Sequence, residues 1–294
     1  MRGALALLVA VAITSSAPVT YHLQENRISV RPIRERFTPS QIDVLQRLNR
    51  VDRDHLDRLA RIVVPDVWTG DVLSYSVLPR RYPSAESLAK LLVVQQPWQV
   101  FGAYERGELV RWGPISSGRA GSPTPTGLFH LNWKSPGRHS SIDPEWYLRW
   151  YFNFGNAEGL SFHEYGLPGR PASHSCVRLL AVDAQWLYDW GDQWTLDSAR
   201  RRIVRPGTPV LIAGVYDFAA APPWRAPERL GVPIDLPALD VGASPLAGGG
   251  HGEVDQVIRR VDVEPDPKVL AALEGVDAHG VRPRAGSLRD VRHR

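Results

Sequence analysis

Cysteine is nearly absent from this 294-residue chain, in which Cys176 is the only one. One cysteine excludes an internal disulfide framework, and no Cys-x-x-Cys pair is present to bind zinc or to act as a redox motif. Long apolar runs are also scarce, because no segment after the first 17 residues is long and apolar enough to cross a membrane. The net charge of +4 comes without a cluster of basic and aromatic residues, so no DNA or other nucleic-acid partner is predicted.

The first 17 residues have the pattern of an export signal. Arg2 supplies a positive charge, residues 4–13 are an unbroken apolar run, and Ser15-Ser16-Ala17 offers small residues for cleavage. Pro18 directly follows that site, so an uncleaved anchor and a buried N-terminal helix remain as alternatives. We predict an exported protein of the periplasm or cell envelope.

Composition and pattern divide the chain into four parts. Residues 1–17 form the predicted signal peptide, 18–87 a small helical region, and 88–219 a strand-rich domain that contains Cys176. Residues 220–294 are rich in proline, glycine and charged residues, a composition that predicts a largely disordered tail.

Region 18–87 is predicted to hold two short helices and a strand. Thr38 followed by Pro39 begins one helix, Asp52 caps the other, and Arg61–Pro65 has the pattern of a strand closed by proline. This order resembles the latter part of a LysM glycan-binding repeat, although the first strand of such a repeat is not evident. The alternative that we favour is a subdomain that packs on the catalytic domain.

Region 88–219 alternates strand patterns with loops. Lys90–Tyr104 and Leu109–Ile115 are predicted to be two strands joined by a turn, and Thr208–Ala213 is the last strand. Asp183 is predicted to cap a helix that carries several large apolar residues. These elements predict a mainly β domain with short helices.

The surroundings of Cys176 favour a reactive thiol. The cysteine lies in Ser173-His174-Ser175-Cys176-Val177-Arg178-Leu179, and His163 lies upstream. Histidine and arginine neighbours favour the thiolate, and acyl transfer needs a nucleophile, a base and donors for the oxyanion. A zinc site built from His163, His174 and Cys176 is the rival hypothesis, but no zinc-type spacing pair accompanies it.

Residues 171–179, with His163 upstream, resemble the catalytic motif of the L,D-transpeptidase (YkuD-type) family. Pro123-Thr124-Pro125-Thr126-Gly127 resembles a second signature of the family, and Gly207-Thr208-Pro209-Val210 resembles its closing strand. The resemblance covers roughly residues 88–216. It implies an α+β fold that is mainly β with short helices. The catalytic domain would be a YkuD-like β-sandwich of two packed sheets, with the Cys/His pair at one edge of a cleft.

The resemblance implies that Cys176 is the nucleophile. His163 would be the general base that activates the thiol and later protonates the leaving amine. The backbone carbonyl of Glu164, directly after the base, would orient the imidazole. No metal and no organic cofactor are implied.

The same resemblance assigns the pocket. Backbone N–H groups near Ser175 and Cys176 would form the oxyanion hole, and Ser173 and His174 would shape the pocket. Arg178 would hold the loop or meet a carboxylate of the peptide stem. The family motif has glycine where this chain has Ser175, so the backbone there is the point of departure.

The implied function is that of an exported L,D-transpeptidase acting on peptidoglycan stem peptides. A tetrapeptide donor would form a thioacyl-enzyme, release D-alanine and pass to an amine of another stem or of an envelope protein. Water in place of the amine would give an L,D-carboxypeptidase or a crosslink hydrolase with the same nucleophile. A non-catalytic peptidoglycan-binding module is the third alternative.

Overall fold

The computed structural model describes residues 19–26 and 31–239, which begin with a small sheet flanked by helices. Strand β1 (Tyr21–Glu25) pairs antiparallel with β2 (Arg61–Pro65). Between them in sequence lie α1 (Ile33–Arg36), α2 (Pro39–Asn49) and α3 (Arg53–Arg58). β1 is the strand that the sequence pattern did not reveal. The predicted signal peptide lies outside the described residues.

Both predicted helix starts of this N-terminal subdomain are confirmed. The Thr38 hydroxyl accepts from the Gln41 backbone N–H while the Gln41 side chain accepts from the Thr38 N–H, which makes a reciprocal capping box. Asp52 caps α3 by accepting from the His55 N–H at 2.9 Å. The helices bury their apolar faces together with β2 in a core of Ile33, Ile42, Leu45, Val51, Leu56, Ile62 and Val64.

The catalytic region is built on one nine-stranded sheet. In chain order its elements are β3 (Leu91–Gln95), β4 (Val100–Glu105), β5 (Glu108–Ser116), β6 (Gly127–His130), β7 (Lys134–His139), β8 (Tyr147–Gly155), β9 (Leu160–Glu164), β10 (Val177–Leu179), α4 (Ala181–Trp190), β11 (Thr195–Leu196), β12 (Ile203–Arg205) and β13 (Pro209–Ala213). The strand order is β6-β13-β3-β4-β5-β10-β9-β8-β7, and β11 pairs separately with β12. The β13–β3 and β10–β9 pairs are parallel, and the other pairs are antiparallel.

The sheet curls so that its two halves share one core. Side chains from β3, β4 and β13 pack with those of β8, β9, β10 and α4 in a buried cluster that includes Val94, Phe101, Phe152, Phe162 and Leu187. The fold is therefore mainly β with short helices, as predicted. The two packed layers are halves of one continuous sheet, because β5 joins β10 across the bend.

Three charged side chains, which we call the charged junction, bind the N-terminal subdomain to the catalytic region. Asp183 on α4 is fully buried and lies 3.1 Å from Arg47 on α2 and 2.7 Å from Arg111 on β5. Gly113 leaves room for this contact, since a Cβ there would come within 2.4 Å of the Asp183 carboxylate. The prediction that Asp183 caps the helix is wrong: it is inside α4, and its carboxylate instead binds two guanidinium groups.

A second buried arginine, Arg50, has no carboxylate partner among the described residues. It has a positive φ of 59° at the C-terminus of α2 and donates to the backbone carbonyls of Arg47 and Trp98. The guanidinium lies 5.6 Å from the ring centroid of Trp112 and 5.8 Å from that of Trp224. Helix-end carbonyls and aromatic faces therefore stabilise a charge that burial disfavours.

The beginning of the predicted tail packs on this core. Trp224 is fully buried, and Leu230 is also buried in the cluster around Trp112 and Tyr104. The Ile234 N–H donates to the Val77 carbonyl at 2.8 Å. The structure thus differs from the prediction of disorder up to residue 239, because a few large apolar side chains in a proline-rich segment suffice to anchor it. Residues 240–294 lie outside the described part of the chain.

Within residues 19–26 and 31–239, none of the helices combines the length and the apolar character needed to span a bilayer.

Candidate active site

The neighbouring parallel strands β9 and β10 bring four polar side chains to one face of the sheet, namely Ser161, His163, Cys176 and Arg178. β9 alternates, with Phe162 in the shared core and Ser161 and His163 on the opposite face. β10 pairs with it in the register Val177↔Phe162 and Arg178↔His163. This register brings Cys176, one residue before β10, beside Ser161, and it puts Cys176 diagonally opposite His163.

His163 is held as a neutral base. Its Nδ1 lies 3.0 Å from the Glu164 carbonyl oxygen, and because a carbonyl only accepts, Nδ1 carries the proton and Nε2 keeps its lone pair. The side chain is 4 % exposed. Burial lowers the pKa of His163 to about 4 and the positive charge of Arg178 acts in the same direction, although the Glu164 carbonyl opposes the shift.

Cys176 is held as a neutral thiol. Its Sγ lies 3.3 Å from the Ser161 Oγ and 3.7 Å from the Gly159 carbonyl oxygen. Burial raises the pKa of the Cys176 thiol, while Ser161 and the charge of Arg178 act to lower it. At neutral pH the site therefore rests as a thiol beside a neutral imidazole, which suits proton transfer during attack rather than a preformed ion pair.

Cys176 and His163 open into one small cavity, here called the cysteine cavity. Its walls are aromatic: the Trp146 ring lies 5.2 Å from the His174 ring, and the Arg178 guanidinium lies 4.6 Å from the centre of the Tyr165 ring. The lining side chains are Ser140, Ile142, Trp146, Leu148, His163, Tyr165, Ser173, His174, Cys176 and Arg178.

The loop before Cys176 is fixed from behind by the Pro-Thr-Pro-Thr-Gly turn. Thr124 donates its hydroxyl to the Ser175 carbonyl at 2.8 Å and accepts from the Gly118 N–H at 2.9 Å. Ser175 has φ of 80°, a left-handed conformation that favours glycine. A serine therefore adopts here a backbone conformation that costs glycine little.

The same loop leaves backbone donors without partners. The Ser175 carbonyl accepts from Thr124, and because the peptide is trans, the N–H of Cys176 points the opposite way. Among the described residues, none accepts a hydrogen bond from the N–H of Ser175 or of Cys176. Both groups can therefore donate to an oxyanion that forms near the sulfur.

The structure brings the sequence-predicted residues together. Five of them line the cysteine cavity, namely His163, Ser173, His174, Cys176 and Arg178. Ser175 lies in the supporting loop, and the Glu164 carbonyl contacts the histidine. Sequence reasoning missed Ser161, which the alternation of apolar and polar residues along β9 could have revealed, and the buttressing Thr124.

Metal binding finds no support in the described part of the chain. No three side chains of histidine, cysteine, aspartate or glutamate in residues 19–26 and 31–239 are grouped to hold an ion. The zinc hypothesis for His163, His174 and Cys176 therefore gains nothing from their positions.

The fold and the site define a mainly β domain in which a half-buried cysteine and a buried histidine share one cavity. Residues 89–212 match the family model YkuD, described as the L,D-transpeptidase catalytic domain. This segment is therefore similar to the catalytic domain of the YkuD family, and the match covers less than half of the 294-residue chain. No curated protein matches the chain significantly.

Several solved structures are similar over the same part of the chain. An L,D-transpeptidase from Mycobacterium smegmatis is 22 % identical with a TM-score of 0.34, covering 43 % of this chain and 59 % of its own. One from Stackebrandtia nassauensis is 23 % identical with a TM-score of 0.36, covering 44 % and 58 %. Mycobacterium tuberculosis L,D-transpeptidase 1 is 21 % identical with a TM-score of 0.33, covering 43 % and 62 %. The chain thus spans about three fifths of their length, and the assignment rests on the family model.

Proposed function

We propose that this chain is an exported cysteine L,D-transpeptidase that acts on peptidoglycan stem peptides. One observation carries the proposal: inside a YkuD domain, buried His163 is oriented by the Glu164 carbonyl and shares the cysteine cavity with Cys176. A thiol, a base and unpartnered backbone donors are the groups that acyl transfer from an amide needs.

Acylation would begin with both groups neutral. As the Cys176 sulfur attacks the carbonyl carbon of the donor stem, its proton passes to Nε2 of His163, and the carbonyl oxygen becomes an oxyanion. The N–H groups of Ser175 and Cys176 would stabilise that oxyanion. Collapse breaks the C–N bond, His163 returns the proton to the leaving amine, and a thioester with free D-alanine results.

Transfer would reverse these steps with a new acceptor. His163, neutral again, takes a proton from the incoming amine as the amine nitrogen attacks the thioester carbonyl. The C–S bond breaks and the sulfur leaves as a thiol after it regains the proton. The acceptor would be an amine of a second stem or of an envelope protein.

Export places the enzyme beside its substrate. The charged, apolar and small-residue pattern of residues 1–17 supports a periplasmic or cell-envelope location. A single cysteine suits that compartment, because it has no internal partner with which to form a disulfide.

The first test is turnover of purified tetrapeptide muropeptides, read by mass spectrometry beside Cys176→Ala. Crosslinked dimers that vanish in the variant are expected. Tripeptides without dimers would move the activity to a carboxypeptidase. Intact substrate with wild-type protein, under conditions in which its thiol is reactive, would contradict both enzymatic hypotheses and favour the binding module.

The second test asks whether the thiol acylates. Incubation with a carbapenem should add one drug mass to wild-type protein and none to Cys176→Ala. His163→Gln should slow this acylation by about 100-fold or more, since positioned general bases contribute roughly 10²–10⁴. His22→Gln, at an exposed position on β1, is the matched control and should acylate normally.

We propose a packing role for the N-terminal subdomain. The buried contact of Arg47 with Asp183 and the pairing of Asp52 with the Leu167 N–H at 2.7 Å support it, because both join the subdomain to the catalytic region. The antiparallel pair β1–β2 supports the alternative, which is glycan binding by a LysM-like subdomain. Sedimentation of Cys176→Ala protein with intact sacculi tests it, and strong retention would favour glycan binding.

A further inference from the structure

Cys176 has a second polar neighbour besides His163. Ser161 is fully buried on β9, and its Oγ lies 3.3 Å from the cysteine sulfur. The parallel register of β9 and β10 sets this contact, because it puts the two residues side by side on one face of the sheet. A hydroxyl in that place can donate to sulfur or accept from it.

The contact matters because the sulfur is poorly solvated. Burial raises the pKa of the Cys176 thiol, and the Ser161 hydroxyl and backbone act against that shift. The groups that face the sulfur from the surrounding elements are Tyr151, Ser161, His163, Tyr165, His174 and Arg178. Only Ser161 has a side-chain hydrogen bond to the sulfur among the described residues.

Ser161 is itself backed by a chain of polar side chains. Its hydroxyl and the cysteine both act on the pKa of the buried Tyr151 phenol, which burial raises. Asn153 donates to the Tyr151 oxygen at 3.4 Å, and its own amide oxygen accepts from Asn132 at 2.8 Å. The hydroxyl is fully buried and makes no hydrogen bond other than the one with the sulfur among the described residues, so few other acceptors compete for its proton.

We propose that Ser161 is a positioning residue for the nucleophile: its hydroxyl donates to the Cys176 sulfur as negative charge develops there. The inference rests on the proposed function in taking Cys176 as the attacking group. The thiol proton goes to Nε2 of His163, while the Ser161 proton stays on its own oxygen and only its hydrogen bond turns toward sulfur. In the thioester the sulfur is neutral, and negative charge returns to it as the C–S bond breaks during transfer, so the hydroxyl contributes both to thioester formation and to release of the sulfur.

Alkylation of the thiol by iodoacetamide across a pH series tests this directly. Ser161→Ala should move the midpoint of the alkylation rate about one pH unit higher, because a hydrogen bond to a charged group is worth a factor of roughly ten or more. At a fixed pH below the midpoint, alkylation should be about tenfold slower. Ser161→Thr keeps a hydroxyl and should restore the midpoint.

Matched variants separate positioning from packing. Ser116→Ala removes another fully buried serine hydroxyl, one that donates to the Arg170 carbonyl, and should leave the midpoint unchanged. If Ser161→Ala does not fold, Tyr151→Phe is used beside Tyr104→Phe, whose hydroxyl donates to the Pro79 carbonyl. Removal of the Tyr151 hydroxyl should raise the midpoint, whereas removal of the Tyr104 hydroxyl should not.

The outcomes also separate this inference from the proposed function. An unchanged midpoint in a folded Ser161→Ala protein would overturn the positioning role, even if muropeptides are crosslinked. If the midpoint of Ser161→Ala is raised but the wild-type protein leaves muropeptides intact, the positioning role is upheld and the transpeptidase assignment fails. Carbapenem acylation slowed about tenfold, with crosslinking of muropeptides slowed but still present, is the expected result when both hold.

Discussion

The charged junction and the cysteine cavity bury ionisable groups in opposite ways. In the junction, Asp183 is fully buried and both of its oxygens bind guanidinium groups. In the cavity, neither the buried His163 nor the half-buried Cys176 has an ion-pair partner among the described residues, and loss of solvent shifts both pKa values toward the neutral form. Paired burial holds two parts of the chain together, whereas unpaired burial leaves groups ready to exchange a proton.

The largest effect is expected from breaking the junction. Asp183→Ala should lower the free energy of unfolding by about 3–5 kcal/mol, because it leaves Arg47 and Arg111 without their shared carboxylate. Denaturant titration measures the loss, and Asp189→Ala on the exposed side of α4 is the control. A loss no greater than that of the control would mean that the junction does not hold the subdomain.

The next largest loss of stability is expected from removing Trp224, the buried tryptophan of residues 220–239. Trp224→Ala should lower the free energy of unfolding by about 3 kcal/mol, the low end for a buried tryptophan, because its short segment can detach without unfolding the sheet. Phe218→Ala, at a half-exposed position nearby, should cost much less. Equal losses in denaturant titrations would show that residues 220–239 do not support the core. Limited proteolysis should cut the Trp224 variant first in this segment.

The buried histidine of the cysteine cavity predicts a loss of stability at acidic pH. The pKa of His163 is lowered to about 4 in the folded state and is 6.5 in the unfolded state, so the unfolded chain takes up the proton first. Stability from this group is complete above pH 6.5 and is lost as the pH falls toward 4, by about 2–3 kcal/mol. Denaturant titrations at pH 7 and pH 4.5 measure it.

His163→Gln is the comparison for that titration, because glutamine does not ionise. The variant should lose less stability than the wild type between the two pH values, although both lose whatever other groups contribute. Parallel losses would mean that burial does not keep this histidine neutral.

The smallest effect is expected in the loop behind the cysteine. Ser175→Gly should raise the free energy of unfolding by about 0.5 kcal/mol, since glycine accepts the φ of 80° while the hydrogen bond to the Ser122 carbonyl is lost. Ser175→Ala keeps the strain and loses the same bond, so it should fall below the wild type. A glycine variant less stable than the alanine variant in thermal unfolding would contradict the strain.

Local signals predicted local structure well. Thr38 and Asp52 were predicted as caps because a hydroxyl or carboxylate before an apolar helical pattern satisfies the first free N–H groups. The predicted strand Lys90–Tyr104 is two strands, β3 and β4, because Pro97 and the left-handed Gln99 turn the chain between them. Periodicity alone does not distinguish one long strand from a tight hairpin of two apolar strands.

Signals that depend on distant partners were misread or missed. Asp183 looks like a helix cap in sequence, yet its partners lie on α2 and β5, more than 70 residues away along the chain. Trp224 lies in a segment whose composition predicts disorder. Its burial is favourable because Arg50 and Trp112, which are far away in sequence, pack beside it in the folded chain. Ser161 carries no motif, and its contact with Cys176 depends on strand register.

The sequence by itself singled out Cys176 and His163, their order along the chain and the turn that precedes them, because motif residues at fixed spacings are a local signal. It also determined the mainly β class through alternating apolar positions. Only the tertiary structure decided that one sheet curls into both layers, that Asp183 binds two arginines and that Ser161 lies beside the sulfur. Those facts depend on register and on packing between segments far apart in sequence, which no local pattern specifies.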